Sequence, residues 1–178
     1  SNWTEVNDLN QASGALRGVG ADNTSGIAVR GSYNESWNGS SWTEVNDLNT
    51  ARDNLAGAGI ITAGLVFGGA TPPGSRVANT ESWNGSSWTE VNDLNTAKRQ
   101  LGGSGTQTSA LAYAGESAPT AALAQTESWN GSSWTEVADL STARNQVGSA
   151  GADNLSALAF GGTPPIGAAT EEWNGATA

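Results

Sequence analysis

Residues 35–51 read ESWNGSSWTEVNDLNTA, and residues 81–97 read the same seventeen letters. Residues 127–143 differ from them at two places only, Ala138 and Ser141. A fourth copy is divided between the two ends, with EEWNG at 171–175 and NWTEVNDL at 2–9. From Trp3 to Trp42 is 39 residues, and Trp42 to Trp88 and Trp88 to Trp134 are 46 each. A period of this length marks a repeat architecture, in which each unit buries its apolar face only against its neighbours. With 178 residues the chain reads as a single domain, 1–178.

In the second unit, Leu55, Gly57 and Gly59 alternate with Ala56, Ala58 and Ile60. Leu65 and Phe67 then alternate with Gly64 and Val66, and Gly68-Gly69 and the loop ATPPGSRVANT follow. The unit closes with ESW-NGSS-WTEV. Period-two alternation punctuated by Gly and Pro predicts strands. Asn-Gly between two apolar-aromatic runs predicts a hairpin, because both residues tolerate positive φ. Four short strands result: A at 54–60, B at 63–68, C at 79–84 and D at 87–92. The other units align through Leu16, Ile27, Val29, Trp37 and Trp42, through Leu101, Leu111, Tyr113, Trp129 and Trp134, and through Val147, Leu158, Phe160 and Trp173. The partner of Trp173 is Trp3, at the other end of the chain, and the short first gap comes mainly from a B–C loop reduced to SYN around Tyr33.

Composition excludes several classes of function. A net charge of −10 from only 13% charged residues disfavours nucleic-acid backbones, which need clustered Lys and Arg, and anionic membranes. No apolar run approaches membrane-spanning length, so no membrane insertion is expected. Cysteine is absent, which removes disulfides and thiolate metal sites. Histidine is absent as well, which removes the usual general base and the commonest metal ligand. Methionine is missing and the chain starts at Ser1, as expected of a processed chain, a segment of a longer one or an incompletely known sequence. No signal peptide is visible, and any targeting signal is expected outside this sequence.

A hydrophobic strand ending in Gly-Gly, an aromatic residue, a Trp about five residues later and a short loop to Arg together resemble the kelch repeat. The residues are Phe67-Gly68-Gly69, Trp83, Trp88 and Arg52. Trp83 stands where kelch units usually carry Tyr, Arg30-Gly31 and Ala114-Gly115 replace the double glycine, and Ser13 replaces the Arg. The resemblance covers essentially the whole chain. The WNGSSWTEV wording is also similar to repeats in predicted proteins of marine bacteria and their phages. The kelch resemblance implies an all-β, kelch-like β-propeller with one blade of four antiparallel strands per unit. The blades fall at about 14–46, 53–92, 99–138 and 145–178 plus 1–8. Residues 2–7 are expected to supply strand D of the last blade, so that the N-terminal strand closes the ring and hides its edges. Small A strands (LAGAG, LGGSG, VGSAG) favour four blades, because inner strands crowd the axis most when blades are few. The alternatives are an eight-bladed dimer, with strand D swapped between chains, and a piece of a longer array.

The eight tryptophans, paired on strands C and D, are expected to fill the space between blades. Glu5, Glu44, Glu90 and Glu136 of WTEV read as solvated charges on the outer strand. Asp8, Asp47, Asp93 and Asp139, with Asn49 and Asn95, suit turn hydrogen bonding in the D–A connection. No ligand spacing supports a metal there. Arg52, Lys98 and Arg144 follow in the same loop and are expected to bond loop carbonyls or the Asp. The kelch resemblance implies that the D–A and B–C loops emerge on one face, where partners bind. On that basis Asp47, Asn49, Arg52, Arg76, Asp93, Asn95, Lys98, Asp139 and Arg144 are the candidate ligand-binding residues. The B–C loops differ most between units (SYN, ATPPGSRVANT, ESAPTAALAQT, TPPIGAAT), which suits recognition on a rigid frame and equally suits drift in tolerated loops. Seven N-x-S/T sequons occur, at Asn2, Asn23, Asn34, Asn38, Asn84, Asn130 and Asn154. Asn38, Asn84 and Asn130 sit in the hairpin turns as candidate glycosylation acceptors.

Without His or Cys, Ser–His and Cys–His nucleophilic systems cannot be built. No carboxylate pair is singled out for glycoside hydrolysis, and the glycine stretches lack a phosphate-cradle context. The expected function is therefore a non-catalytic binding or structural module without cofactor or metal. It is expected to be extracellular, on a virion, fibre or cell surface, with a glycan or protein partner or copies of itself. A purely architectural, self-assembling subunit is the first alternative and a carbohydrate-active enzyme the second.

Overall fold

The computed structural model describes residues 2–12, 14, 16–164 and 167–175. Among them there is no helix, and hence none long and apolar enough to cross a membrane. Four small antiparallel sheets stand in a ring and form a four-bladed β-propeller. Blade 1 is β1 (Arg17–Asp22), β2 (Ser25–Val29), β3 (Asn34–Trp37) and β4 (Trp42–Val45). Blade 2 is β5 (Ala56–Ile60), β6 (Ala63–Phe67), β9 (Thr80–Trp83) and β10 (Trp88–Val91). Blade 3 is β11 (Gly102–Gly105), β12 (Ala110–Tyr113), β15 (Thr126–Trp129) and β16 (Trp134–Val137). Each is a simple meander, with strands paired in chain order from A to D.

The Asn-Gly turns form as hairpins, with Trp37, Trp83 and Trp129 directly opposite Trp42, Trp88 and Trp134. Only the glycines take positive φ, 93° at Gly39, 95° at Gly85 and 94° at Gly131. The asparagines serve differently from the expectation. The Asn84 carboxamide oxygen accepts the backbone N–H groups of Ser86 and Ser87, each at 2.9 Å, and the Ser86 hydroxyl at 3.0 Å. This Asx-type bonding holds the four-residue loop closed.

The core lies between blades. Ile27, Val29, Val19 and Leu48 of blade 1 and the connection after it pack against Val66, Trp83 and Trp88 of blade 2. Leu65 and Phe67 of blade 2 pack in turn against Ala110, Ala112, Trp129 and Trp134 of blade 3, with Phe67 edge-on to Trp134 at 4.9 Å. Leu111 and Tyr113 of blade 3 meet Ala157, Ala159 and Trp173 of blade 4. Strand B of blades 1, 2 and 3 therefore offers two large side chains to the next blade; blades 2 and 3 answer with a Trp pair, and blade 4 with Ala157, Ala159 and Trp173 alone. Where strands A crowd together, size matters at single atoms. A Cβ on Gly103 would lie 2.6 Å from the Phe67 ring of the preceding blade.

The last blade departs from the expected four strands. Its sheet holds β17 (Gly148–Asp153), β18 (Ser156–Phe160) and β19 (Thr170–Trp173), and residues 2–9 form no strand beside β19. That segment is tied to blade 1 instead. Asn7 Nδ2 donates to the Ser40 carbonyl at 2.8 Å, and Asn10 donates to Glu35 from its backbone N at 2.9 Å and from Nδ2 at 2.6 Å. Bonds to a buried carboxylate hold the segment, whereas the open edge of β19 can be satisfied by water. Trp3, expected to pack beside Trp173, is fully exposed. The join through 176–178 and Ser1, the Ser13 position, and Pro165-Ile166 of the fourth B–C loop lie outside the described residues.

Candidate functional site: the face of the D–A and B–C loops

Backbone bonds place the D–A and B–C loops at one end of the propeller. Arg52 accepts from Gly31 N at 3.0 Å, and Asp53 and Ala70 exchange bonds of 3.0 and 2.8 Å. The same pattern recurs between Arg99 and Glu116 and between Asn145 and Thr163. In blades 2 and 3 the B–C loops fold into hairpins absent from the sequence reading, β7 (Ala70–Thr71) with β8 (Ser75–Arg76), and β13 (Glu116–Ser117) with β14 (Ala121–Ala122). Two-residue strands are too short for any periodicity to reveal.

The cations of the D–A loop are buried. Arg52 is 1% exposed, Lys98 0% and Arg144 4%. Their main partner is a glutamate of strand C, two residues before its Trp, rather than the loop Asp. Arg52 pairs with Glu81 and also donates from Nε to the Gly68 carbonyl at 2.9 Å and from Nη1 to that of Thr50 at 2.9 Å. Lys98 Nζ lies 3.2 Å from Glu127, and Arg144 Nη2 lies 2.7 Å from Glu171. Burial pushes the Lys98 ammonium below its usual range, against the opposing pull of the Glu127 carboxylate. Each glutamate is also approached by the backbone before the cation. Asn49 and Asn95 donate from N at 2.7 Å to Glu81 and Glu127, and from Nδ2 at 2.8 and 2.9 Å. The ESW glutamate, repeated at 35, 81, 127 and 171, went unremarked in the sequence. Its recurrence in step with the Arg/Lys position was the available signal.

The aspartates Asp47, Asp93 and Asp139 stay exposed. Asp93 and Asp139 accept the first strand-C amide, Thr80 N at 3.1 Å and Thr126 N at 3.2 Å. Among the described residues no three acidic side chains gather closely enough to hold a metal ion. Asn38, Asn84 and Asn130 lie at the opposite end, exposed in the C–D turns.

Among the candidate cations Arg76 is the least buried. It reaches from β8 to the next blade, pairing with Glu116 and donating to the Pro119 carbonyl at 2.7 Å. Arg99 Nη2 completes the triad at 3.0 Å from Glu116. Desolvation opposes the Glu116 charge, but the two guanidinium groups outweigh it and hold the carboxyl below its ordinary range. The two hairpins are thereby locked side by side. Between them runs a shallow groove lined by Pro73, Gly74, Ser75, Arg76, Ala97 and Ala118. A second groove lies between the loops of blades 1 and 2, where Tyr33 is half exposed beside Ser32 and Pro72. Neither Arg99 nor Glu116 was singled out in the sequence, because their pairing depends on how adjacent blades turn.

No protein-family model matches the chain, and no curated protein matches it.

Proposed function

We propose that the chain is a non-catalytic binding module of the kelch-like type, acting on a virion, fibre or cell surface. Its partner would be a glycan or protein surface, met at the end that carries the D–A and B–C loops. One observation carries this reading: the strand C–D segments at 35–51, 81–97 and 127–143 repeat almost letter for letter, while the B–C segments at that single end differ in length and sequence. The frame is occupied with holding itself together. The strand-C tryptophans of blades 1 to 3 and the D–A cations are buried, so Arg52, Lys98 and Arg144 position the loops rather than touch a ligand. The surface offered to a partner is the groove between β7–β8 and β13–β14, rigidified by the Arg76–Glu116–Arg99 triad. Its exposed Pro and Ser groups and low charge suit sugars or a polar protein face.

The test exchanges the hairpin tips. Replacing 72–75 and 118–120 by Gly-Ser linkers should abolish binding in a panel of immobilised glycans and surface proteins, with the melting temperature nearly unchanged. Binding that survives both replacements and disappears only with changes to the blade tryptophans overturns this placement.

A further inference from the structure

The junction between blade 4 and blade 1 differs from the other three. The strand-B pairs Ile27/Val29, Leu65/Phe67 and Leu111/Tyr113 are all buried against the following blade. The fourth pair, Leu158 and Phe160, is 41% and 43% exposed. Blade 1 shows the complementary vacancy. A Cβ on Gly103 meets Phe67 of the preceding blade, and one on Gly57 meets Val19 at 2.8 Å, but a Cβ on Gly18 would meet nothing within 4 Å. Gly18 lies opposite Ala28 in the sheet, as Gly103 lies opposite Ala112.

The polar fittings match as well. Asn154 of blade 4 reaches back to blade 3, donating from Nδ2 to Ser128 Oγ at 3.0 Å and to the Trp129 carbonyl at 3.2 Å. Asn23 occupies the same place in the same motif, GADN, and is exposed. Trp134 donates to Thr80 of blade 2 at 3.1 Å. Trp42 is its counterpart on blade 1, and Thr170 is the exposed counterpart of Thr80 on blade 4. Last, among the described residues no strand pairs with the outer edge of β19, while residues 3–6, which carry a strand-D sequence, pair with no strand. That sequence is anchored to blade 1 by Asn7 and Asn10, as Asn92 and Asn95 anchor the preceding strand to blade 3 at 2.7 Å each.

We infer that these two faces are an interface between copies of this chain. Blade 4 of one copy packs on blade 1 of another: Phe160 covers the partner's Gly18, the partner's Asn23 meets Glu172 and Trp173, and the partner's residues 3–6 add to β19. The contact is the interface that the chain already makes three times within itself. It is heterologous, and a pair of copies is the smallest assembly that leaves no face uncovered.

Light scattering of the full chain tests this. The expected mass is a multiple of 18.0 kDa at micromolar concentration. Phe160→Asp and, independently, Gly18→Phe should return it to 18.0 kDa. Gly18→Phe enters open space in the isolated chain, so its fold should survive. The chain has no cysteine, so Thr4→Cys in one preparation and Glu172→Cys in another provide a cross-strand pair that should form a disulfide between chains on mixing. Three outcomes overturn the inference: a wild-type monomer at every concentration, an oligomer indifferent to both face variants, or a Thr4→Cys/Glu172→Cys double variant that cross-links only within one chain.

Discussion

Phe67 and Phe160 hold the same place in their repeats, at the end of strand B, yet their surroundings are opposite. Phe67 lies sealed between Trp134, Ala56 and the bare Gly103 backbone, whereas Phe160 faces outward at the seam. The two strands, AGLVF and SALAF, place their phenylalanines alike, opposite Ala56 and Gly148, but the worth of an apolar side chain depends on whether another blade stands opposite it. The internal junctions and the seam are thus one interface in two states, covered and uncovered. Burying a Leu or Phe side chain is worth roughly 1.5–3 kcal/mol. The last blade, holding two such residues half exposed, buries less apolar surface at its outer face than the other three.

The largest effect should separate these two positions directly. Phe67→Ala is expected to cost about 3–5 kcal/mol in chemical denaturation. Phe160→Ala, measured where the chain is dilute, should cost less than about 1.5 kcal/mol, because little burial is lost. Equal costs would show that the seam is packed in solution.

The ion pairs draw the same contrast. The Arg52 and Glu81 side chains are both 0% exposed, while Glu171 beside Arg144 is 25% exposed. Glu81→Gln leaves a buried guanidinium uncompensated and should cost about 3 kcal/mol. Glu171→Gln should cost about 1 kcal/mol, because water replaces part of what is lost. Thermal denaturation of the two variants side by side decides it.

A smaller effect follows from the Glu116 triad between the hairpins. Its carboxyl titrates below the ordinary value of 4.5 in the folded state, so its stabilisation is complete above that pH. It is lost as the pH falls through 4.5 toward the lower folded value. Wild type and Glu116→Gln should therefore converge in stability on acidification, and parallel curves between pH 6 and 3 would remove the triad from the account.

The smallest effect concerns the double glycine. Gly69 and Gly115 have φ of 109° and 107°, and each donates its N–H to the residue at the Arg/Lys position or its equivalent, Lys98 and Arg144, at 2.9 Å. The preceding position is less demanding, and Ala114 sits there at φ 60°. Ala114→Gly should stabilise the protein by up to about 1 kcal/mol, read as a small rise in melting temperature. This also explains why the first glycine of the pair varies among units while the second recurs.

Much of the blade was legible because strands and hairpins are local. Alternation placed strands A to D of blade 2 within two residues of where they lie, and paired tryptophans identified the inter-blade core. The partner of Arg52 was not legible. Asp47 is near in sequence, but Glu81, 29 residues away, is brought to the guanidinium by the turn from one blade to the next. The hairpins of the B–C loops were hidden for another reason: two-residue strands carry no periodicity, and Arg76 meets Glu116 across 40 residues.

The sequence by itself determined the unit, the four-strand order seen in blades 1 to 3 and the paired tryptophans that face a neighbouring blade there, because all of these follow from spacing within one repeat. Only the tertiary structure decided which carboxylate neutralises which cation, that the hairpins of blades 2 and 3 form one groove, and that residues 2–9 follow blade 1 rather than β19. Those outcomes depend on how blades are placed around the axis. A repeat encodes its own contacts to the next copy, but not what stands beyond the last one.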